Sequence, residues 1–128
     1  METLMQTPAE TAVIAGLSTD LFTPEEQATE RSLDELEALL QTAGGVCVGR
    51  LLQNRHAPDP HSFLGEGKAQ ELRQLVEQTG AGMVVFDNDL SPSQLRALED
   101  LTGAVVLDRS ALILDIFAQR AITKEGRL

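Results

Sequence analysis

A glycine turn that ends in a lysine is the part of this chain whose residue types most suggest chemistry. It consists of Phe63-Leu64-Gly65-Glu66-Gly67-Lys68 and opens a run with helical character. A Walker A loop has Gly, four residues and then Gly-Lys-Ser/Thr, because its backbone N–H groups surround the phosphates of a nucleotide while the hydroxyl binds magnesium. Ser62 stands in place of the first glycine, and Ala69 stands in place of the hydroxyl residue. The turn is therefore not a Walker A loop, although its glycines and lysine remain candidates for phosphate contact.

Charged residues that follow the predicted strands form a second candidate site. Ligands of doubly wound sheets gather at the carboxyl ends of the strands, where this chain has Arg50–Gln53, Asp87–Asp89 and Asp108-Arg109. The same acids also commonly cap helices and turns, so a structural role stays open beside a chemical one. A phosphoacceptor receiver domain is not supported, because strand 12–17 lacks a following acidic pair and strand 104–107 lacks a following lysine. We predict no catalytic residue.

Metal and thiol chemistry have little support. His56 and His61 lie five residues apart with Asp59 between them, but a zinc site needs a third or fourth ligand. Cys47 lies between two valines, where burial favours an inert structural thiol. A single cysteine also excludes a disulfide framework and fits a cytoplasmic protein.

The segment 49–73 is the least acidic exposed part of the chain. Its charged residues are Arg50, Arg55, Lys68 and Arg73 against Asp59, Glu66 and Glu71, together with two histidines. An extended, partly basic loop beside a glycine turn and a helix N-terminus suits phosphate contact with RNA or with a nucleotide. A solvated surface loop remains the alternative.

Composition limits the function classes. The 128 residues predict one domain with an aliphatic core. With four Phe and no Trp or Tyr, aromatic platforms for stacking bases are nearly absent. The net charge of −10 is concentrated in residues 1–40, which hold nine acids and one base, whereas residues 41–128 hold eleven acids and nine bases. No membrane span or signal peptide is predicted, because no long apolar run occurs.

Apolar runs and helix signals alternate regularly along the chain. The predicted elements are strand 12–17, a short helix start at 23–26, helix 32–43 with a capping box at Ser32 and Glu35, strand 45–52, loop 53–62, helix 68–79, strand 83–86, a helix from Ser91 with Gln94 completing its cap, strand 104–107 and a helix from 109. Strands without alternation, separated by helices, predict a four-stranded parallel sheet flanked by helices on both faces, a Rossmann-like three-layer α/β fold.

The last helix is apolar nearly all round, from Ala111 to Ala118. Such a helix packs against two partners, of which one is the sheet. We therefore expect the chain to be part of a longer protein whose next segment covers the other side.

Six motifs together resemble one known family, that of the N-terminal domains of HflX-type GTPases. They are Thr42-Ala43-Gly44, Gln53-x-Arg55-x-x-Pro58-x-Pro60, Phe63-Leu64-Gly65-x-Gly67-Lys68-x-x-Glu71-Leu72, Asp87-x-x-Leu90-Ser91-Pro92-x-Gln94, Leu98-Glu99 and Asp108-Arg109-Ser110-x-Leu112-Ile113-Leu114-x-Ile116-Phe117-Ala118-x-Arg120-Ala121. The resemblance spans about residues 12–126, leaving an acidic segment within residues 1–30 without a family pattern. Ser110 stands where threonine is expected.

The resemblance implies a cytoplasmic protein that continues into a helical linker and a G domain, where GTP and Mg²⁺ are bound. No cofactor is expected in this chain itself. It also implies binding to the large ribosomal subunit in ribosome dissociation, rescue or recycling. On this view the candidate contacts to rRNA are Arg50, Gln53, Arg55, His56, His61, Gly65, Gly67 and Lys68.

Two other functions stay open. The Gly65–Lys68 turn is also a candidate for an auxiliary ATP or GTP site with weak hydrolysis. Alternatively, the domain only regulates the G domain by packing, for which the candidate interdomain residues are Leu112, Ile113, Ile116, Phe117 and Arg120.

Overall fold

Strands and helices alternate through the whole described part of the chain. The computed structural model describes the backbone of residues 10–126 and the side chains of residues 10–118. In chain order the elements are β1 (Glu10–Thr19), a 3₁₀ turn (Pro24–Glu26), α1 (Glu30–Thr42), β2 (Gly45–Arg55), α2 (Glu66–Thr79), β3 (Met83–Phe86), α3 (Pro92–Thr102), β4 (Val105–Asp108) and α4 (Arg109–Gly126). The predicted alternation of strand and helix is confirmed.

The four strands form one parallel sheet in the order β2-β1-β3-β4. Successive side chains of β1 point to opposite faces: Val13 and Ala15 pack with α2 and α3, while Ala12 and Ile14 pack with α1 and α4. The predicted three-layer α/β fold is confirmed. Strand β2 pairs with one edge of β1, and β3 pairs with the opposite edge of β1. The strand order therefore reverses between β1 and β3, and this position is the topological switch point of the sheet.

The first helix begins two residues before its predicted start. Thr29 is the N-cap, because its hydroxyl accepts the Ser32 N–H at 3.0 Å while the Thr29 N–H donates to Ser32 Oγ at 2.7 Å. The predicted capping box of Ser32 with Glu35 is therefore wrong. Ser32 takes the third helical position, which glutamate or glutamine usually holds in such a box, and the sequence rule overlooks it.

The paired strands β1 and β2 are both longer than predicted. Their residue-by-residue pairing continues to Thr19 opposite Arg55, so the loop begins at His56 rather than at Gln53. The prolines that restrict this segment start only at Pro58, which leaves the preceding N–H groups able to join the sheet.

The remaining helix boundaries lie close to the prediction. Helix α2 begins at Glu66, with Gly65 as its N-cap, and ends on Gly80 in the left-handed conformation. The capping box of Ser91 with Gln94 at the start of α3 is confirmed. Within residues 10–126, no helix has both the length and the apolar character to cross a membrane.

Candidate functional site

The end of β2 and the start of α2 bring three of the predicted phosphate-contact residues together. Gln53 Oε1 accepts the Gly65 N–H at 2.9 Å. A Cβ atom added at Gly65 would lie 3.1 Å from Gln53 Nε2 and 3.2 Å from Arg55 Nη1. Glycine is therefore what allows the two side chains to approach the turn so closely. We call Gln53, Arg55, Gly65, Gly67 and Lys68 the glycine-turn cluster.

The N-terminus of α2 presents unpaired donors at this cluster. Gly65 has no side chain to cap the helix, and the first N–H groups of an α-helix lack intrahelical partners. Gly67 faces open space, because nothing lies within 4 Å of a Cβ atom added there. Outward N–H groups and the positive end of the helix dipole favour an oxyanion such as a phosphate.

Arg55 adds a cationic group that has one buried nitrogen without a hydrogen-bond partner. Within the described part of the chain, its Nη1 is the one buried side-chain nitrogen or oxygen without a hydrogen-bond partner. A buried unpaired charged donor is costly. The residue as a whole remains partly exposed, so its charge is accessible from the side of the turn. An uncapped helix start and an unsatisfied guanidinium thus lie side by side.

The proline-rich loop that precedes the turn is held by its own hydrogen bonds. The Asp59 carboxylate accepts the N–H groups of Ser62 at 3.0 Å and His61 at 2.8 Å, and these bonds lower the pKa of Asp59. Backbone bonds in both directions join Asp59 to Phe63. Phe63 has a φ of 68° and is buried. The loop is therefore a defined structure anchored in the core.

Arg50 lies outside the cluster, contrary to its expected phosphate role. Its guanidinium faces α1 and meets Asp34 at 2.7 Å, Glu30 at 3.3 Å and Glu37 at 3.5 Å. The hydrogen bond to Asp34 raises the pKa of Arg50 above its ordinary value. The position follows from the pleat of β2, which turns Arg50 toward α1 and Gly49 toward α2. A phosphate would have to displace three carboxylates to reach this side chain.

The other predicted contact residues lie around the cluster with different partners. Lys68 Nζ pairs with Glu71 one helical turn along α2, at 2.7 Å, an exposed pair of modest strength. His56 Nδ1 lies 3.6 Å from Asp20 Oδ2. His61 is exposed and contributes its backbone N–H to the Asp59 turn. The side chains of Lys68, His56 and His61 are at least partly exposed, and they remain candidates for phosphate contact at the edge of the glycine-turn cluster.

A second feature, which we call the switch-point cleft, opens at the carboxyl ends of β1 and β3. Its volume is about 510 Å³. At its base the buried carboxylate of Asp87 accepts hydrogen bonds from Ser32 Oγ and from Arg109 Nε and Nη2. Asp108 accepts the Ala111 N–H and so caps the last helix, which is the structural role left open for it. It also accepts the Leu90 N–H in the turn before Ser91, where Asp87 or Asp89 was the expected cap.

Asn88, which lies within the candidate segment Asp87–Asp89, has a structural role that the sequence did not specify. Its Nδ2 donates to the carbonyl groups of Leu17 at 2.9 Å and Glu26 at 3.0 Å, and its Oδ1 accepts the Leu17 N–H at 2.8 Å. The buried amide therefore continues the sheet beyond the end of β3 and fixes the 3₁₀ turn. The sequence signal for this role is a polar residue two positions after the end of a buried strand.

Comparison with known proteins now identifies the domain. A family described as "GTP-binding GTPase N-terminal" matches residues 30–118. The chain belongs to this family. Its relatives include the GTPase HflX of Escherichia coli, 51% identical over 75% of this chain and 22% of the relative. They also include the GTPase HflX of Alkalihalophilus pseudofirmus, 40% identical over 100% of this chain and 30% of the relative. The predicted relationship to the N-terminal domains of HflX-type GTPases is confirmed.

Solved structures share the fold. The GDP complex of SsGBP has a TM-score of 0.63 at 18% identity, covering 86% of this chain and 29% of that one. A GTP-binding protein from Sulfolobus solfataricus in complex with GDP has a TM-score of 0.56 at 17% identity, covering 85% and 30%. At such low identity the similarity concerns the fold alone. This HflX-type chain spans 22% to 34% of the length of the curated relatives it matches.

The last helix of this HflX-type domain divides its apolar residues between two surfaces. Leu112 and Ile116 are buried against the sheet, so these two predicted interdomain residues already belong to the core of this domain. Leu114 and Phe117 are 68% and 63% exposed. The exposed apolar surface of α4 is thus formed by Leu114 and Phe117, with Ile113 half-buried between the two surfaces. The predicted Arg120 side chain lies outside the described residues.

Metal-binding and reactive thiol groups have no support in the described HflX-type fold. Among residues 10–118, no group of three or more His, Cys, Asp or Glu side chains is arranged to hold a metal ion. Cys47 Sγ contacts the Gly49 carbonyl at 3.4 Å, and burial raises the pKa of its thiol. The thiol is therefore less reactive than an exposed cysteine.

Proposed function

We propose that this chain is the ribosome-binding accessory domain of an HflX-type GTP-binding protein, which contacts rRNA of the large subunit through the glycine-turn cluster. The observation that carries the proposal is the Arg55 guanidinium, with its unpaired Nη1, beside the uncapped start of α2. The two groups supply a charge and directed N–H donors, which is the combination that phosphate oxygens bind. The parent protein acts in the cytoplasm in ribosome dissociation, rescue or recycling.

Charge distribution supports approach from the α2 side of the domain. The carboxylates of α1 face away from the cluster, because α1 covers the opposite face of the sheet, and three of them are engaged by Arg50. The cluster therefore lies apart from the four carboxylates of α1, and the acids beside it are Glu66 and Glu71. RNA that approached α1 instead would meet repulsion over the whole helix.

GTP and Mg²⁺ belong, in this proposal, to a G domain outside the present chain. The glycine turn lacks the first glycine and the hydroxyl residue of a Walker A loop. The role of this domain is accordingly to bind and position the parent protein, while GTP hydrolysis takes place elsewhere in it.

The test compares two double variants of the full-length parent protein. Arg55→Ala with Lys68→Ala removes two cations from the cluster, whereas Arg73→Ala with Arg96→Ala removes two exposed cations from the outer surfaces of α2 and α3. Affinity for purified large subunits is measured over a series of salt concentrations. We expect the cluster variant to bind more weakly, with a salt slope reduced by about one for each lost phosphate contact. The control variant should match the wild type.

Unchanged affinity and salt slope in the cluster variant would exclude the proposed contact. Equal losses in both variants would also count against it, because they indicate a nonspecific charge effect. Circular dichroism of each variant checks that the fold is retained, since Arg55 is partly buried.

An auxiliary nucleotide site at the same turn is the second candidate, favoured by the same uncapped helix start. The nearest aromatic side chain of the loop, Phe63, is buried, so the cluster offers phosphate contacts without a ring on which a base could stack. Calorimetry of the isolated chain with ATP and GTP at millimolar concentration tests this candidate. The absence of heat would exclude it and leave RNA as the ligand.

A packing role for α4 is compatible with either ligand. Leu114 and Phe117 form an exposed apolar pair on that helix, which suits contact with the helical linker or G domain of the parent. In the full-length protein, Leu114→Gln with Phe117→Gln should alter GTP turnover while leaving subunit affinity unchanged. Unaltered turnover would argue against this contact.

A further inference from the structure

The switch-point cleft has a different character from the glycine-turn cluster. It lies where doubly wound sheets generally bind ligands, and one of its walls is apolar. That wall is formed by Pro24 and the half-buried ring of Phe22, and the buried ring of Phe63 stacks behind Phe22 with the two centroids 6.3 Å apart. A ligand in the cleft therefore meets an aromatic surface on one side.

The rim of the cleft carries an excess of carboxylates. Four exposed acids line it, namely Glu25, Glu26, Glu35 and Asp89, against one exposed cation, Arg31. The remaining charged pair at the base, Asp87 with Arg109, is mutually neutralised. Among the described residues, the side-chain carboxylates of Glu25 and Glu35 have no hydrogen-bond or ion-pair partner. The cleft thus repels phosphates and attracts cations, and its low-dielectric walls strengthen that preference.

The shape of the cleft favours a side chain presented by another protein over a free small molecule. Small-molecule sites usually enclose most of the ligand surface, whereas the acids of this rim are open to solvent. An arginine side chain has an alkyl stem that packs on apolar surface and a planar guanidinium that stacks on aromatic rings and pairs with carboxylates. The apolar wall of the cleft suits the alkyl stem, and the acidic rim suits the guanidinium.

We propose that the switch-point cleft binds an arginine side chain from a basic peptide segment of a partner protein. The stem lies along Phe22 and Pro24, and the guanidinium reaches Glu25 and Glu35. This site is separate from the proposed rRNA contact and binds a ligand of opposite charge. The outcome of the Arg55 experiment on RNA binding therefore does not affect this proposal. Likewise, a failure of peptide binding at the cleft would not affect the proposed rRNA contact.

The test uses the intact 128-residue chain and a short acetylated peptide in which three arginines are separated by glycines. Titration calorimetry at low ionic strength measures its affinity for the wild type, for Glu25→Gln with Glu35→Gln, and for Glu77→Gln with Asp100→Asn. The last variant changes the net charge by the same amount, at exposed positions of α2 and α3 outside the cleft. We expect the cleft variant to lose about tenfold in affinity, the equivalent of one charge-assisted hydrogen bond. The control should stay within about twofold, because exposed charges outside the contact act only through screened long-range attraction.

Location and ligand type are tested with the same materials. In ¹⁵N–¹H spectra, the peptide should shift the amide signals of Thr29, Asn88 and Ser110, which line the cleft. A lysine peptide should bind more weakly than the arginine peptide, because ammonium groups neither stack nor pair in a bidentate manner. Equal losses in both variants, or shifts confined to other surfaces, would overturn the proposal. Spermidine or free arginine binding as tightly as the peptide would also overturn it, in favour of a free organic cation.

Discussion

Arg109 and Asp87 form the ion pair that joins three elements of the domain. Arg109, the first residue of α4, donates from Nε to Asp87 Oδ1 at 2.7 Å, and its Nη2 also contacts this oxygen. The Asp87 side chain is only 3% exposed. Nη2 further donates to the Ser32 carbonyl of α1 at 2.9 Å. One guanidinium therefore fixes the end of β3, the first turn of α1 and the start of α4.

Removing one member of this pair should destabilise the domain strongly. Arg109→Ala leaves the buried Asp87 carboxylate without its cation, and we expect the free energy of unfolding to fall by about 3 kcal/mol. Asp87→Asn should cost less, because Arg109 is partly exposed and can be solvated. Urea denaturation of both single variants and of the double variant measures the coupling. Additive losses would contradict a direct pair, since contacting residues are not independent.

Asn88 should be as important for stability as a core hydrophobic residue. Asn88→Ala removes three hydrogen bonds to the ends of β1 and of the 3₁₀ turn, leaving buried backbone groups unpaired. We expect a loss of about 2–4 kcal/mol. Asn88→Asp retains the acceptor but replaces the donor, so it should also be destabilising. The neighbouring exposed Asp89, changed to alanine, is the control and should cost less than about 0.5 kcal/mol.

Local signals predicted the elements that depend on neighbouring residues. The apolar run Met83–Phe86 and the capping pair Ser91 with Gln94 each act within four residues, and the structure has both as predicted. Even the error at the start of α1 was local. Thr29 and Ser32 both carry capping hydroxyls, and the chain uses Thr29 as the N-cap and Ser32 as its partner in the box.

The candidate site depended instead on long-range geometry. The position of Arg50 against Asp34 follows from the pleat of β2 and from the packing of α1, which no local pattern contains. Likewise, Arg55 meets Gly65 only because β2 continues to Arg55 and the proline loop then folds back on its Asp59 turn. The motif therefore indicated which residues mattered, while strand pairing determined which of them came together.

Two glycines should respond in opposite ways to alanine. A Cβ atom at Gly16 would lie 2.4 Å from the Cβ atom of Ala28, so Gly16→Ala forces β1 away from the segment before α1 and should cost about 1–3 kcal/mol. A Cβ atom at Gly67 meets nothing within 4 Å, and Gly67→Ala should stabilise α2 by about 0.5–1 kcal/mol. Thermal unfolding of both variants checks this contrast. A stabilised Gly16→Ala protein would contradict the close packing of β1.

Cys47 should react slowly with alkylating reagents in the folded protein. Its partial burial raises the pKa of the thiol, so less thiolate is present at pH 8 than in an exposed cysteine. Iodoacetamide labelling followed by mass spectrometry measures the rate. The same protein in urea provides the control and should react faster. Equal rates in both conditions would show that the thiol is already accessible in the fold.

The Asp59 turn should make the order of the proline loop dependent on pH. Hydrogen bonds from the Ser62 and His61 N–H groups lower the pKa of Asp59 below its ordinary value of 3.8. Because the pKa of Asp59 is lower in the folded protein than in the unfolded chain, the ionised carboxylate stabilises the loop fully at pH values above the ordinary pKa. This stabilisation is lost as the pH falls through the lowered pKa of the folded protein. NMR titration of the Ser62 amide should therefore show a transition below pH 3.8. Asp59→Asn keeps an acceptor oxygen at this position but does not titrate, so the transition should disappear while the loop remains folded. If the transition persisted in Asp59→Asn, another group would control the loop.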